Sequence, residues 1–233
     1  MNHFSASIIE RMMEILRAHD RKLLIAIDEA ANSAAMRKFV SEFQLLLRNK
    51  YPIYLLMAGL YDNLYQLQNE KTLTFLYRAP KIFLSPLNMS AVTESYRTTF
   101  HNSEEDARQM ASLTKGYSYA YQVVGYLCWE EDSGKITERI VSRFDMFMEE
   151  YVYSKIWEEQ SPMKRKILEA TARSGTGDVT SIRKQISMPP SEFGVYRNRL
   201  MRQGLIQPEG YGKISFVLPR FDVYIRNQAF DCM

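Results

Sequence analysis

The chain has 233 residues, of which 46% are hydrophobic and 24% are charged, so its composition is that of a globular protein and excludes disordered and fibrous classes. Its net charge is +3, and no apolar run approaches the roughly 20 residues that a membrane-spanning helix needs. Its two cysteines form no CxxC pair, which favours reduced thiols in a cytoplasmic protein over a disulfide framework.

Charge is unevenly distributed along the chain. Residues 161–233 carry 12 Lys+Arg against 6 Asp+Glu, whereas residues 1–160 carry 18 against 21. A basic C-terminal third favours an anionic partner for that third. A solvated basic face without a partner is the alternative.

The first 87 residues alternate helical and strand patterns. Three stretches have amphipathic helical spacing: residues 4–17, 32–48 and 64–75. Three short apolar runs predict strands: Leu23–Ile27, Ile53–Ala58 and Lys81–Leu84. This alternation predicts a parallel α/β layer over residues 1–87.

Two carboxylates, Asp28 and Glu29, follow the first predicted strand. In nucleotide hydrolases, one carboxylate at this place holds Mg²⁺ and its neighbour orients water. A cap for the following helix, supplied by Asp28 or Asn32, is the alternative. The phosphate loop G-x-x-x-x-G-K-[ST], which such a site also needs, is absent, because only Gly134 and Gly212 precede a lysine and Ile follows each lysine.

After Pro86 the pattern contains helices only. Four stretches have amphipathic spacing: residues 90–99, 104–114, 119–131 and 136–150. We therefore expect residues 88–160 to form a small all-α domain, of the kind that serves as a lid.

Residues 161–233 predict a third domain. Helical patterns cover residues 163–172, 180–187 and 191–203, and Ser191 is the expected N-cap of the last of them. Residues 205–207 and 214–218, joined by a turn with two glycines, predict a β-hairpin. Three helices followed by a hairpin predict a winged helix-turn-helix.

Basic side chains of this predicted winged helix are candidates for phosphate contacts with DNA, with the third helix in the major groove. These candidates are Arg183, Lys184, Arg197, Arg199, Arg202 and Lys213. Winged helices also serve as protein-contact modules and as covers over nucleotide sites, so those alternatives stay open.

Arg78 precedes the third predicted strand. A guanidinium at this place could reach the γ-phosphate held by a neighbouring subunit, as an arginine finger does. The alternative is a surface arginine at a helix end, where the helix dipole favours a cation.

The order of these parts resembles an AAA+ ATPase of the origin-recognition-like or STAND branch. The likeness rests on the strand with Asp28-Glu29, the strand ending at Gly59, Arg78 before residues 81–87, the helical block and the winged helix. Residues 114–129 are similar to the lid helix of that family. Residues 216–224 resemble the closing strand and helix of its winged helix.

The resemblance implies that Asp28 is the Walker B magnesium ligand, Glu29 the water-orienting residue and Arg78 the finger. It also implies ATP and Mg²⁺ as cofactors of the complete protein. Two features depart from the family: Ala58-Gly59-Leu60 stand where a polar sensor 1 residue is expected, and the sensor 2 arginine is missing near Tyr119 or Ala120. Both departures argue against fast hydrolysis.

In this family the phosphate-loop strand comes first and lies between the sensor 1 strand and the last strand of the sheet. The chain is therefore expected to be N-terminally incomplete, by about 60 residues or more from the size of a βαβ unit. The resulting gap predicts either direct pairing of the second and third strands or self-association through the incomplete sheet.

The sequence thus predicts the C-terminal portion of an AAA+-type protein with three parts: a partial P-loop NTPase core (residues 1–87), an all-α lid (88–160) and a winged helix (161–233). This chain by itself is expected to bind no nucleotide and to be inactive as an ATPase. The alternative is a winged-helix DNA-binding regulator that uses its α/β part for oligomerisation.

Overall fold

In a computed structural model, residues 4–231 are described at the level of the backbone and residues 8–228 with their side chains. The chain divides into two units between Ile82 and Phe83. The first unit contains α1 (Phe4–Ala18), β1 (Leu23–Ile27), α2 (Ala34–Arg48), β2 (Ile53–Met57), α3 (Tyr61–Gln68) and a 3₁₀ helix (Thr74–Arg78).

Strands β1 and β2 form a parallel pair that runs from Leu23 opposite Ile53 to Ile27 opposite Met57. Because parallel strands cannot be joined by a tight turn, α2 makes the crossover between them. One face of the pair packs against the helices of this unit, where Met13, Phe43 and Leu46 are buried. The first two predicted strands, Leu23–Ile27 and Ile53–Ala58, and their parallel pairing are confirmed, although β2 ends at Met57.

The opposite face of the strand pair is bare. Leu24 is 63% exposed, and Tyr54 and Leu56 are each 51% exposed. Both faces of a parallel sheet are normally covered, and strands buried on both sides have continuous apolar sequences such as these. Among the described residues, β1 and β2 pair only with each other, so each strand also has one unpaired edge.

The predicted third strand, Lys81–Leu84, is wrong. These residues have no regular secondary structure, and Ile82, Phe83 and Leu84 are 80%, 71% and 94% exposed. A strand forms only where a neighbour completes its hydrogen bonds, and no described strand pairs with this segment. The predicted direct pairing of the second and third strands is therefore wrong as well. The preceding predicted helix is also interrupted, because α3 ends at Gln68 and a separate 3₁₀ helix follows.

The second unit is helical apart from one hairpin. It contains α4 (Met89–Phe100), α5 (Glu104–Thr114), α6 (Ser118–Glu130), α7 (Glu138–Met148), a π-helical turn (Glu149–Tyr153), α8 (Ser154–Glu158), α9 (Pro162–Ser174), α10 (Val179–Gln185), α11 (Pro190–Arg202), β3 (Ile206–Pro208), β4 (Ile214–Phe216) and α12 (Phe221–Asp231). Side-chain caps at Asn88, Ser103 and Thr137 fix where α4, α5 and α7 begin.

One continuous hydrophobic core extends through this unit, from Val92 in α4 to Ile225 in α12. Tyr153 is buried in this core, where its ring contacts Phe221 and Tyr224 and its hydroxyl donates a hydrogen bond to the carbonyl of Pro219. The stretches predicted as a lid and as a C-terminal domain share this core. A domain boundary near residue 160 stays a prediction.

The C-terminal block has three helices, α9 to α11, followed by the antiparallel pair β3–β4, in which Ile206 lies opposite Phe216. The predicted hairpin is confirmed, although β4 ends at Phe216. Ser191 is not the N-cap of α11, because the helix begins at Pro190, whose ring suits a first helical position. None of the helices within residues 4–231 has the length and apolarity that a bilayer crossing requires.

Candidate functional site

The two acidic residues Asp28 and Glu29 lie at the carboxyl end of β1, beside the carboxyl end of β2. Backbone hydrogen bonds continue past the strands at this edge: the amide of Ala58 donates to Ile27 at 2.9 Å, and the amide of Ala30 donates to Ala58 at 2.8 Å. The loop after β1 is thereby held against the end of β2. Carboxyl ends of parallel strands are where open α/β sheets bind ligands.

Close packing at this edge depends on Gly59. A Cβ atom at Gly59 would lie 2.6 Å from the carbonyl oxygen of Ala30, far inside van der Waals contact. Glycine is therefore required here for the approach of one backbone to another.

Glu29 adopts a left-handed backbone conformation, with φ of 52°, and its amide donates a 2.9 Å hydrogen bond to Oδ1 of Asp28. Left-handed backbone in a residue other than glycine is uncommon and costs conformational energy. The bond fixes one oxygen of Asp28 while both side chains stay exposed. The carboxylates are therefore open to a ligand at the edge of the sheet.

The acids do not cap α2, which excludes the alternative role considered for Asp28 and Asn32. Ser33 is the N-cap, and its hydroxyl accepts a hydrogen bond from the amide of Met36. Asn32 instead accepts a 2.9 Å hydrogen bond from Arg37 and donates one of 3.2 Å to Glu70. Asp28 is thus free of the structural role that most often explains an acid after a strand.

An open cleft of about 490 Å³ lies next to this loop. Asn32 and Glu70 line it, together with the end of α3 and the residues after it, among them Tyr65 and Lys71. The side chains of Asp28 and Glu29 do not line it. Local sequence patterns do not reveal this cleft, because Asn32 is more than thirty residues away in the chain from the other lining residues, which lie between positions 65 and 72.

The metal-binding groups at the end of β1 are the carboxylates of Asp28 and Glu29. No group of three or more His, Cys, Asp or Glu side chains in the described part of the chain could hold a metal ion. Mg²⁺, however, is usually held by one or two carboxylates together with substrate phosphates and water. Asp28 therefore fits a magnesium ion that a nucleotide brings, and it does not fit a metal site made by this chain alone.

Arg78 is exposed at the end of the 3₁₀ helix. No hydrogen bond or ion pair joins it to Asp28, Glu29 or another described residue. The structure therefore does not bring Arg78 together with the acids. Its guanidinium is free to meet another molecule.

The six predicted phosphate-contacting cations are not equivalent. Lys184, Arg199, Arg202 and Lys213 are exposed, and the guanidinium of Arg199 lies over the ring of Tyr196 at 5.7 Å. Arg183 is half-buried and donates a hydrogen bond to the carbonyl of Met188.

Arg197 is also half-buried, and its Nε is enclosed without a hydrogen-bond partner among the described side chains and backbone. On α11 it lies near the side of the buried residues Phe193 and Leu200, because four and three residues separate them. Arg199 and Arg202 are therefore better placed than Arg197 or Arg183 for an external ligand.

Lys184 and Lys213 lie close to an acid at the start of α10. The carboxylate of Asp178 caps α10 through the amide of Ser181. Hydrogen bonding from the side chain of Ser181 and then from its amide lowers the pKa of Asp178, and the two lysines lower it further. The lysines therefore serve a local electrostatic role besides facing solvent.

Comparison with solved structures shows that the fold resembles the Walker-type ATPase PABY2304 of Pyrococcus abyssi. The similarity has a TM-score of 0.70 and covers 95% of this chain and 67% of that one, at 14% sequence identity. A family model described as "Domain of unknown function (DUF8462)" matches residues 150–225, which span the C-terminal block and the helices just before it. No curated protein matches the chain. At this level of identity the structural likeness shows a shared fold alone.

Proposed function

We propose that Asp28 and Glu29 form the Walker B part of an ATPase site. The observation that carries the proposal is the exposed acidic pair at the carboxyl end of β1, held by the Asp28–Glu29 hydrogen bond and not engaged as a helix cap. The similarity of the fold to a Walker-type ATPase supports it. In this proposal the chain belongs to the origin-recognition-like or STAND branch of the AAA+ proteins.

Asp28 holds Mg²⁺ in the proposed site, and Glu29 orients the water that attacks the γ-phosphate. Mg²⁺ bound to the nucleotide phosphates neutralises the charge that develops during phosphoryl transfer. Arg78 acts on a nucleotide bound by a neighbouring subunit, consistent with its exposed guanidinium. Ala58, Gly59 and Leu60 provide no polar side chain at the end of β2, so we expect slow hydrolysis.

The phosphate loop comes from outside these 233 residues, since none of their glycine–lysine pairs satisfies the motif. The chain by itself therefore binds no nucleotide. Isothermal titration of the chain with Mg·ATP tests this statement, and we expect no heat of binding. Mg²⁺-dependent binding that Asp28→Asn removes would show that the chain contains a complete site and would overturn this part of the proposal.

The bare face and open edges of the β1–β2 pair support a second element of the proposal, self-association or pairing with further strands. Exposed Leu24, Tyr54 and Leu56 provide apolar surface for a covering layer. Sedimentation analysis of the wild type and of Leu24→Lys tests it. A monomer at all concentrations, with the β1–β2 amides protected as strongly as those of the second unit, would contradict it.

A second candidate function is DNA binding by a winged helix formed from α9–α11 and the β3–β4 hairpin. Its support is the exposed Arg199 and Arg202 on α11 and Lys213 on the hairpin. The turn of the hairpin also presents Tyr211 entirely to solvent. In this proposal α11 enters the major groove and the cations contact phosphates.

Fluorescence anisotropy with a labelled 30-base-pair duplex tests the second candidate. Arg199→Ala combined with Arg202→Ala should remove about two phosphate contacts. The slope of the logarithm of the DNA-binding constant against the logarithm of the salt concentration should then be less steep by roughly 1.8. Lys155→Ala, which removes an exposed cation on α8, is the matched control. Binding that does not weaken between low and moderate salt would exclude DNA contact through these cations.

A further inference from the structure

Four aromatic side chains form a continuous row on the surface of the second unit, which we call the aromatic ladder: Tyr126, Phe147, Tyr151 and Tyr119. Successive ring centroids lie 5.9, 6.0 and 6.5 Å apart in that order. Tyr126 is 51% exposed and Tyr151 is 60% exposed. The rings of the ladder thus contact one another while two of them face solvent.

Helix geometry accounts for the ladder. Tyr119 and Tyr126 are seven residues apart on α6, so they share a face. Phe147 and Tyr151 are four residues apart, at the end of α7 and in the π-helical turn.

The π-helical turn places the next two residues, Val152 and Tyr153, both in the core. The same turn leaves Tyr151 on the surface beside Phe147. Single π-helical turns occur often at functional positions. The row is therefore produced by a local departure from the α-helix as well as by packing.

One end of the ladder carries an uncompensated negative charge. Glu149 and Glu150 directly precede Tyr151 in the π-helical turn, and both carboxylates are exposed. Tyr151, and the ring of Tyr119 that contacts it, therefore lie at the end of the ladder that carries these acids. Among the described residues, no Lys or Arg forms an ion pair with Glu149 or Glu150.

The other end of the ladder is neutralised. Glu130 accepts a hydrogen bond from Tyr126 at 3.3 Å and is paired with Arg143. Glu131 is paired with Arg143 as well, at 3.3 Å. A ligand that seeks negative charge is therefore directed to the end with Glu150.

We propose that the aromatic ladder and Glu150 are a docking site for a basic segment of a partner protein, whose Arg or Lys side chain lies over the rings of Tyr119 and Tyr151 with its charge beside Glu150. The faces of aromatic rings are negative and attract cations, most strongly where water is excluded. The carboxylate adds an ion pair to the same group. A purely apolar partner would bury Glu150 without a counter-charge, which is costly.

The probe for the test is a fluorescently labelled octa-arginine peptide, with an octa-glutamate peptide as the control of opposite charge. We expect the wild-type chain to bind the arginine peptide and not the glutamate peptide. Tyr151→Ala and Glu150→Gln should each weaken binding by about three- to tenfold, and Tyr151→Phe should retain it within about twofold because the ring is kept.

Matched controls are Tyr211→Ala, which removes a fully exposed tyrosine on the β3–β4 turn, and Glu105→Gln, which removes an exposed charge on α5. Both should bind the arginine peptide as the wild type does, and circular dichroism should show that all variants are folded. Equal weakening in Glu105→Gln and Glu150→Gln would mean non-specific attraction and overturn the proposal. No loss in Tyr151→Ala would overturn it too.

Discussion

Gly59→Ala tests directly whether the site edge is held by the contact between β2 and the loop after β1. The added Cβ would lie 2.6 Å from the carbonyl oxygen of Ala30 and 3.1 Å from its nitrogen, whereas ordinary contacts begin near 3.4 Å. The two segments must separate by about 0.8 Å, and the 2.8 Å hydrogen bond from Ala30 to Ala58 must lengthen. Overpacking of this kind costs about 1–3 kcal/mol.

Native-state hydrogen exchange is the method that measures the stability of the first unit. Tryptophan fluorescence reports on the second unit, because both tryptophans, Trp129 and Trp157, lie there. We expect Gly59→Ala to speed exchange of the β1–β2 amides by roughly 5- to 150-fold, the range that corresponds to about 1–3 kcal/mol. The tryptophan-detected urea midpoint should not change.

The control is Gly194→Ala, in α11, where an added Cβ meets nothing within 4 Å. It should stabilise the second unit by about 0.5–1 kcal/mol through helix propensity and raise the tryptophan-detected midpoint. Unchanged exchange of the β1–β2 amides in Gly59→Ala would refute the argument that close backbone packing holds the site edge.

Three further predictions concern the second unit. Two hydrogen bonds of 2.6 Å join Arg220 to Asp145, and each side chain is about a third exposed. A double-mutant cycle with Ala at both positions should give a coupling energy of about 1 kcal/mol. A coupling energy of zero would contradict the pairing. Because the pKa of Asp178 is lowered in the folded state, its carboxylate stabilises the fold above the usual aspartate pKa of about 4, and this stabilisation is lost as the pH falls through the folded-state pKa. The decrease in melting temperature caused by Asp178→Ala should therefore be smaller at pH 2.5 than at pH 7. An equal decrease at both pH values would contradict this. Burial raises the pKa of Cys128 to about 11. In a Cys232→Ser background the Cys128 thiol should therefore react with a disulfide reagent at pH 8 only when the protein unfolds. Labelling of the native protein within minutes would be inconsistent with burial of this thiol.

Local patterns sufficed to predict most elements. The apolar runs at Leu23–Ile27 and Ile53–Met57 became the parallel pair, and the glycines at positions 210 and 212 marked the hairpin turn. Asn88 and Ser103, whose side chains accept hydrogen bonds at the starts of α4 and α5, belong to residue types that favour a helix start. These features depend on side chains close in sequence, which is why the sequence reveals them.

The errors arise where structure depends on distant partners. Lys81–Leu84 is apolar enough for a strand, but apolarity does not specify whether a neighbouring strand exists to pair with it. The left-handed conformation of Glu29 and its hydrogen bond with Asp28 likewise depend on how the loop meets β2. The aromatic ladder is not predictable from local patterns, because its rings come from helices that meet across more than twenty residues of sequence.

In the proposed function, Asp28 and Glu29 are the magnesium-binding and water-orienting carboxylates of an ATPase site. The most direct test is ATP hydrolysis by the full gene product that contains these residues, with wild type, Glu29→Gln and the exposed control Glu10→Gln compared. We predict that Glu29→Gln lowers the rate by about 100-fold or more while ATP binding is retained, as expected when a water-orienting group is removed. Absence of ATP hydrolysis by the wild-type gene product, or hydrolysis by Glu29→Gln as fast as by Glu10→Gln, would contradict this assignment.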